Sequence, residues 1–138
     1  TIDTVIPLLR QGAHRGIIGS RRLSGATIAK AESRLRVFLG QGYTLLSRAF
    51  VPEVTDFTCG FKCFSRDAAR HIFDAARIDR WAFDTEILFL AKHFNFSITQ
   101  IPVKWTHDRD SRVRVFRDVA YSLKDLLRLI GYVLTKSY

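Results

Sequence analysis

Between Asp56 and Ala76 the spacing of apolar residues switches from two to three and four, which limits the chain to folds that layer helices on strands. Phe57, Cys59, Phe61 and Cys63 alternate along residues 57–64, the period of a strand with one buried face. Ser65 then offers a helix N-cap, and Ala69, Ile72, Phe73 and Ala76 form one stripe behind it. The same alternation recurs along the chain. Ile2, Val5, Ile6 and Leu9 predict a helix over residues 2–11, with Pro7 tolerable only in its first turn and Gly12 as its stop. Residues 14–20 read as a short buried strand that runs out at Arg21 and Arg22. The pattern over residues 28–50 predicts one or two helices, bent near Gly40 and Gly42. A further helix is expected over residues 83–94. Residues 97–106 read as a strand in which Pro102 points to a sheet edge or a bulge. A long amphipathic helix begins near Phe116. Strands alternating with helices make an α/β layer structure, and about three strands make only a thin mixed sheet that lacks partners.

The 138 residues, 47% of them hydrophobic, suffice for one compact unit with a core. The formal charge is +9 and is unevenly spread. Residues 1–50 carry eight basic and two acidic side chains, residues 51–103 six and seven, and residues 104–138 eight and four. Two basic flanks around a near-neutral middle favour anionic partners: phosphates, nucleic acid or an anionic membrane surface. Cys59 and Cys63 are too few for a disulfide framework and, set among Phe57, Phe61 and Phe64, read as apolar residues of a reducing compartment. No run of about 18 apolar residues is present, so no segment is expected to span a bilayer. The start at Thr1 without Met points to a fragment or a processed chain.

Five motifs stand in order along the chain. They are Asp56-x-x-Cys59-Gly60-Phe61-Lys62-x-Phe64, the helix start Arg66-Asp67-Ala68-Ala69, Trp81-Ala82-Phe83-Asp84-x-Glu86-Ile87-Leu88, Ile101-Pro102-Val103-x-Trp105 and Ser111-Arg112-Val113. Together they resemble the dolichyl-phosphate glucosyltransferases and mannosyltransferases, family-two glycosyltransferases that act on polyprenyl phosphates. The likeness covers almost the whole chain. The Trp81–Glu86 block and the ending from Lys124-Asp125-Leu126-Leu127 to Thr135 are more similar to the glucosyl enzymes.

The resemblance implies a GT-A fold in which residues 1–138 form a single partial domain. They would be the C-terminal, acceptor-side half, lacking the N-terminal half that binds the nucleotide. It implies transfer of a hexose from a nucleotide sugar (UDP-glucose, or GDP-mannose next) to dolichyl or polyprenyl phosphate at the cytosolic face of a membrane. A Mg2+ or Mn2+ ion would neutralise the leaving pyrophosphate. Its ligands are expected in the missing half and none in this chain, which alone would be inactive. Asp108-Arg109-Asp110 spells an Asp-x-Asp string, but its place between Trp105 and Ser111 matches an acceptor-side loop.

Asp84 aligns with the family's catalytic acid, and a helix N-terminus favours its ionised form. A phosphate acceptor is already anionic, so Asp84 need not remove a proton and could instead orient the acceptor or sugar hydroxyls. Arg21, Ser111 and Arg112 match the family's basic and hydroxyl positions for phosphate, the last two suited to gripping a lipid phosphate. Gly60 would let a substrate approach the backbone, and Lys62 reaches either a phosphate or solvent. Glu86 is a substrate-binding candidate whose alternative is a bond to Arg80 or to backbone at the helix start. The last helix either packs on the domain or lies on a membrane. Two readings without catalysis stand beside this one: a basic nucleic-acid module and a membrane or partner-binding module. The first is disfavoured because most aromatics fall on apolar stripes, so no nucleic-acid partner is expected.

Overall fold

The computed structural model describes residues 2–12, 14–28, 34–106 and 115–138. In chain order the elements are α1 (Ile2–Arg10), β1 (Gly16–Ser20), β2 (Thr27–Ile28), α2 (Arg34–Ser47), β3 (Lys62–Phe64), α3 (Arg66–Ala75), α4 (Phe83–His93), β4 (Ile98–Pro102), β5 (Lys104–Trp105) and α5 (Val115–Leu134). The expected α/β layering with a thin mixed sheet is present. β1 lies between β3 and β4, antiparallel to the first and parallel to the second, and β2 pairs with β5 in a separate parallel ribbon.

The central strand is buried along its whole length, which explains why its residues are small or apolar on both faces. Ile17 and Ile18 fill opposite sides. Gly19 is required by crowding, since a Cβ there would stand 2.6 Å from Val103 Cγ1 and 3.0 Å from Cys59 Sγ. On one side Ile18 joins a core with Val54, Phe57, Ile72, Leu88 and Leu90, which holds α3 and α4 against the sheet. Ser65 caps α3 by accepting from the Ala68 N–H at 3.3 Å, as its place after the strand predicts. β4 is an edge strand, so Pro102 at its end removes no ladder bond that a neighbour needs.

Three expectations need correction. The strand over residues 57–64 shrinks to Lys62–Phe64, because residues 56–59 curl into a turn whose carbonyls meet the Lys62 ammonium. α2 is one continuous helix through Gly40 and Gly42, and its predicted first residue, Ile28, instead closes β2. Pro7 lies in the sixth position of α1, beyond the first turn where its missing N–H is harmless. Gly12 ends that helix as expected, with φ of 74°. The long amphipathic helix expected near Phe116 is present as α5. Leu126 and Leu129 are buried with Ile78 and Ala82, but Asp118, Ser122 and Asp125 share the inward side while Leu123, Leu127, Ile130 and Leu134 are exposed.

The crowding at β1 sets an expectation for stability. Gly19→Ala should destabilise the fold by about 1–3 kcal/mol through overpacking, read from the midpoint of a urea or guanidinium titration. Gly40→Ala, where an added Cβ meets nothing within 4 Å, should not destabilise it.

Candidate active site

The chain leaves β1 at Ser20 and turns with Arg21 against Asp56. Asp56 is fully buried and accepts three bonds from this one residue. The Arg21 backbone N–H donates at 3.0 Å, Nε at 2.8 Å and Nη2 to the other carboxylate oxygen at 2.9 Å. Nη2 also donates to Thr58 Oγ1 at 2.7 Å, and the guanidinium lies 5.2 Å from the centre of the Trp105 ring. The Arg21 guanidinium, which the resemblance sets near a substrate phosphate, is thus engaged by an internal carboxylate. Burial alone would push the Asp56 carboxyl up, but the hydrogen bonds and charge of Arg21 outweigh it and hold the group below the usual carboxylate range.

The neighbouring Thr55 ties the same loop to the sheet. Its hydroxyl meets Ser20 Oγ at 2.8 Å and Gln100 Oε1 at 2.7 Å, and its N–H donates to that same Gln100 oxygen at 2.8 Å. The loop therefore hangs from both β1 and β4.

Lys62, the first residue of β3, reaches back under this loop. Its ammonium donates to the carbonyls of Phe57 at 2.9 Å and Cys59 at 2.6 Å, and pairs with Asp84 Oδ1 at 2.7 Å. The lysine side chain is only 7% exposed, whereas that of Asp84 is 34% exposed. The expectation that Lys62 reaches solvent or a phosphate is corrected: it is an internal cation, and the carboxylate it holds is the group that faces outward. Asp84 sits in the first turn of α4, where no side chain caps the helix, so its charge meets the positive end of the helix dipole. Gly60 is exposed and an added Cβ would meet nothing within 4 Å. The chain's own packing does not demand glycine there.

Glu86 does not belong to this cluster. It is fully buried, and its oxygens accept from the backbone N–H groups of Arg77 at 3.0 Å and Ile78 at 2.9 Å and from the Tyr138 hydroxyl. The substrate-binding role is corrected to that of a structural carboxylate, because every approach to it is occupied. Burial and then the Glu86 bond push the Tyr138 phenol well above its ordinary value, so it stays a donor. The rings of Tyr132 and Tyr138 flank the Arg77 guanidinium at 5.6 and 5.7 Å. Arg77 Nη2 donates to the Ser137 carbonyl, so the chain end is clasped to the turn before α4.

Beside the charged cluster an apolar groove of about 460 Å³ runs between α2 and α5. Phe38, Leu45 and Leu46 line it from α2, Leu123 from α5, with Trp81 and Thr58 at its edge. Thr58 therefore borders both the groove and the Arg21 guanidinium. On the groove wall Tyr43 bonds Thr85 at 2.7 Å, and burial pushes its phenol up to about 12. Sequence patterning missed Asp56 as a site residue, because its partner Arg21 lies 35 positions away. Ser111, Arg112 and the Asp108-Arg109-Asp110 string lie outside the described residues.

Cys59 and Cys63 carry free thiols, and burial raises that of Cys63. Among the described residues no three His, Cys, Asp or Glu side chains converge as metal ligands, and Asp56 and Asp84 each already hold a cation of the chain.

Replacing Asp56 by Ala strands the Arg21 guanidinium in a part-buried site and should destabilise the fold by about 3–5 kcal/mol. The pH dependence has a definite sign. Because its folded value lies below that of the unfolded chain, Asp56 contributes stability at neutral pH that is lost as pH falls through the folded value. Denaturant midpoints measured from pH 7 into the acid range should fall more steeply for the parent protein than for Asp56→Ala.

The chain is 36% identical over 115 residues to a dolichyl-phosphate beta-glucosyltransferase of Dictyostelium discoideum, covering 82% of this chain and 35% of that protein. It is 38% identical over 111 residues to the human protein of the same name, covering 79% and 34%. Glycosyltransferase AglD of Haloferax volcanii is 29% identical over 128 residues, covering 92% and 20%. No family model matches the chain, and no solved structure matches it. The chain spans about a third of the length of the two dolichyl-phosphate relatives. On the strength of those matches, the chain is homologous over about four fifths of its length to proteins named dolichyl-phosphate beta-glucosyltransferases.

Proposed function

We propose that the full-length protein transfers a hexose, glucose before mannose, from a nucleotide sugar such as UDP-glucose or GDP-mannose to dolichyl or polyprenyl phosphate, this chain forming the acceptor side of the cleft. The observation that carries the reading is the meeting of a charged cluster with an apolar groove at Thr58. An acceptor with an anionic head and a hydrocarbon tail has both chemistries, and the relatives are named for such an acceptor.

In this reading the acceptor phosphate oxygen bonds to the anomeric carbon of the sugar as the bond from that carbon to the nucleotide diphosphate breaks. The attacking oxygen carries no proton at neutral pH, so Asp84 acts by orienting the reactants at the mouth of the cleft. Ser111 and Arg112 supply a hydroxyl and a guanidinium for the lipid phosphate. A Mg2+ or Mn2+ ion would be held by residues outside this chain and would neutralise the leaving pyrophosphate.

A membrane surface fits the outer faces of the two groove helices. Phe38 and Leu45 on α2 are 71% and 72% exposed, and Leu127 and Leu134 on α5 are 68% and 77% exposed. Lys124 and Arg128 stand on α5 near these leucines, a combination suited to an anionic lipid interface on the cytosolic side. No helix among the described residues is long and apolar enough to cross a membrane. The non-catalytic nucleic-acid reading is weaker, because rings such as Phe50 with Phe89 and Phe64 with Phe73 pack on one another.

Two measurements test these statements. Supplied with dolichyl phosphate and labelled UDP-glucose, the full-length protein should form lipid-linked glucose. Chelation should abolish the reaction, and Asp84→Ala or Arg112→Ala should each lower turnover by about 10²-fold. Unimpaired turnover in both variants contradicts the site, and no lipid-linked sugar from either donor contradicts the function. Separately, Leu127→Asp with Leu134→Asp should weaken flotation with vesicles containing anionic phospholipid while leaving the melting temperature within a few degrees of the parent.

A further inference from the structure

We propose that Lys62 is a positioning residue that fixes the Asp84 carboxylate and the turn at residues 56–59 as one unit and does not contact substrate. The role rests on the reading of Asp84 given above. An ammonium group has three N–H donors and no acceptor. Those of Lys62 meet two carbonyls and one carboxylate oxygen, all within 2.9 Å, on a side chain that is almost wholly buried. No donor remains for a phosphate.

The lysine is itself well anchored. It stands opposite Ile18 in the ladder between β3 and the central strand, so its root cannot shift without the sheet. From that root it spans to the first turn of α4, where it pairs with Asp84, and to the turn that carries Thr58. Thr58 in turn accepts from Arg21, and Asp56 beside it holds the rest of that guanidinium. Lys62 is therefore the link between two charged clusters that come from distant parts of the chain. Its removal frees Asp84 to rotate and leaves two carbonyls of the turn without their donor.

The test uses the full-length protein in lipid-linked glucose formation. Lys62→Met should lower kcat by about 10- to 100-fold, with KM for dolichyl phosphate and for the nucleotide sugar changed by less than about two-fold. Combined with Asp84→Asn, it should add nothing to the loss caused by Asp84→Asn alone, since the lysine acts through that carboxylate. A raised KM for dolichyl phosphate at unchanged kcat would overturn the proposal, and so would losses that multiply in the double variant. Should Lys62→Met fail to fold, Lys62→Arg decides, because it keeps a cation beside the two carbonyls. Its longer head should displace Asp84 and lower kcat at unchanged KM and melting temperature, whereas normal kcat with raised KM refutes the positioning role. A parent protein that forms no lipid-linked sugar overturns the proposed function and this role with it. An active parent matched by an equally active Lys62→Met overturns this role alone.

Discussion

A carboxylate with no exposed surface, Asp56, receives both side-chain and backbone N–H groups of the residue that follows the central strand, and the geometry of the site depends on this pair. A charge in such a place is tolerated only when its oxygens are saturated by a cation and by hydrogen bonds. Arg21 provides both. The pairing fixes where the chain leaves β1 and where the loop after Pro52 must lie. Once that loop is set, the Phe57 and Cys59 carbonyls point to one spot, which Lys62 occupies. Asp84 follows from Lys62. The part-exposed Asp84 carboxylate is thus the outermost member of a chain of contacts whose innermost member is fully buried.

A second buried carboxylate, Glu86, organises the opposite side of the α4 N-terminus. Glu86 takes two backbone N–H groups from the segment before the helix and a hydroxyl from the last residue. The two acids of the Trp81–Glu86 motif have opposite fates for a simple geometric reason. Residues two apart on a helix project to different sides, so one faces the cleft while the other faces the packed turn and α5. The clasp brings Tyr138 and Tyr132 onto Arg77 and seats the inner face of α5. That inner face carries Asp118, Ser122 and Asp125. Leu123, Leu127, Ile130 and Leu134, which a core helix would bury, are left exposed.

Several features were legible from residue spacing. The Ser65 cap, the buried strand before Arg21, the edge position of the strand holding Pro102 and the helix around Asp84 all stand where local chemistry put them. The candidate site was legible in part: Asp84 and Lys62 were singled out, and the two are in direct contact. Their relation was not legible, and neither was the importance of Asp56. Arg21 and Asp56 are 35 positions apart, and no local pattern records which acid a distant guanidinium will choose. The period-two run over residues 57–64 misled for a related reason. Alternation describes a strand, but the Lys62 ammonium and the Asp56 pair offered residues 56–59 better hydrogen-bond partners in a turn than a ladder would have.

Sequence alone determined the kinds of element, their order and the residue types able to handle a phosphate, because these depend on side-chain period, capping and ionisation within a few positions. Tertiary structure alone decided which charges are spent inside the protein and which remain for a ligand. Burial and partner choice are properties of segments brought together from distant parts of the chain. Arg21, Lys62 and Glu86 look like surface groups in one dimension, and each is consumed by an internal partner once the sheet and α4 bring the loops within about 3 Å.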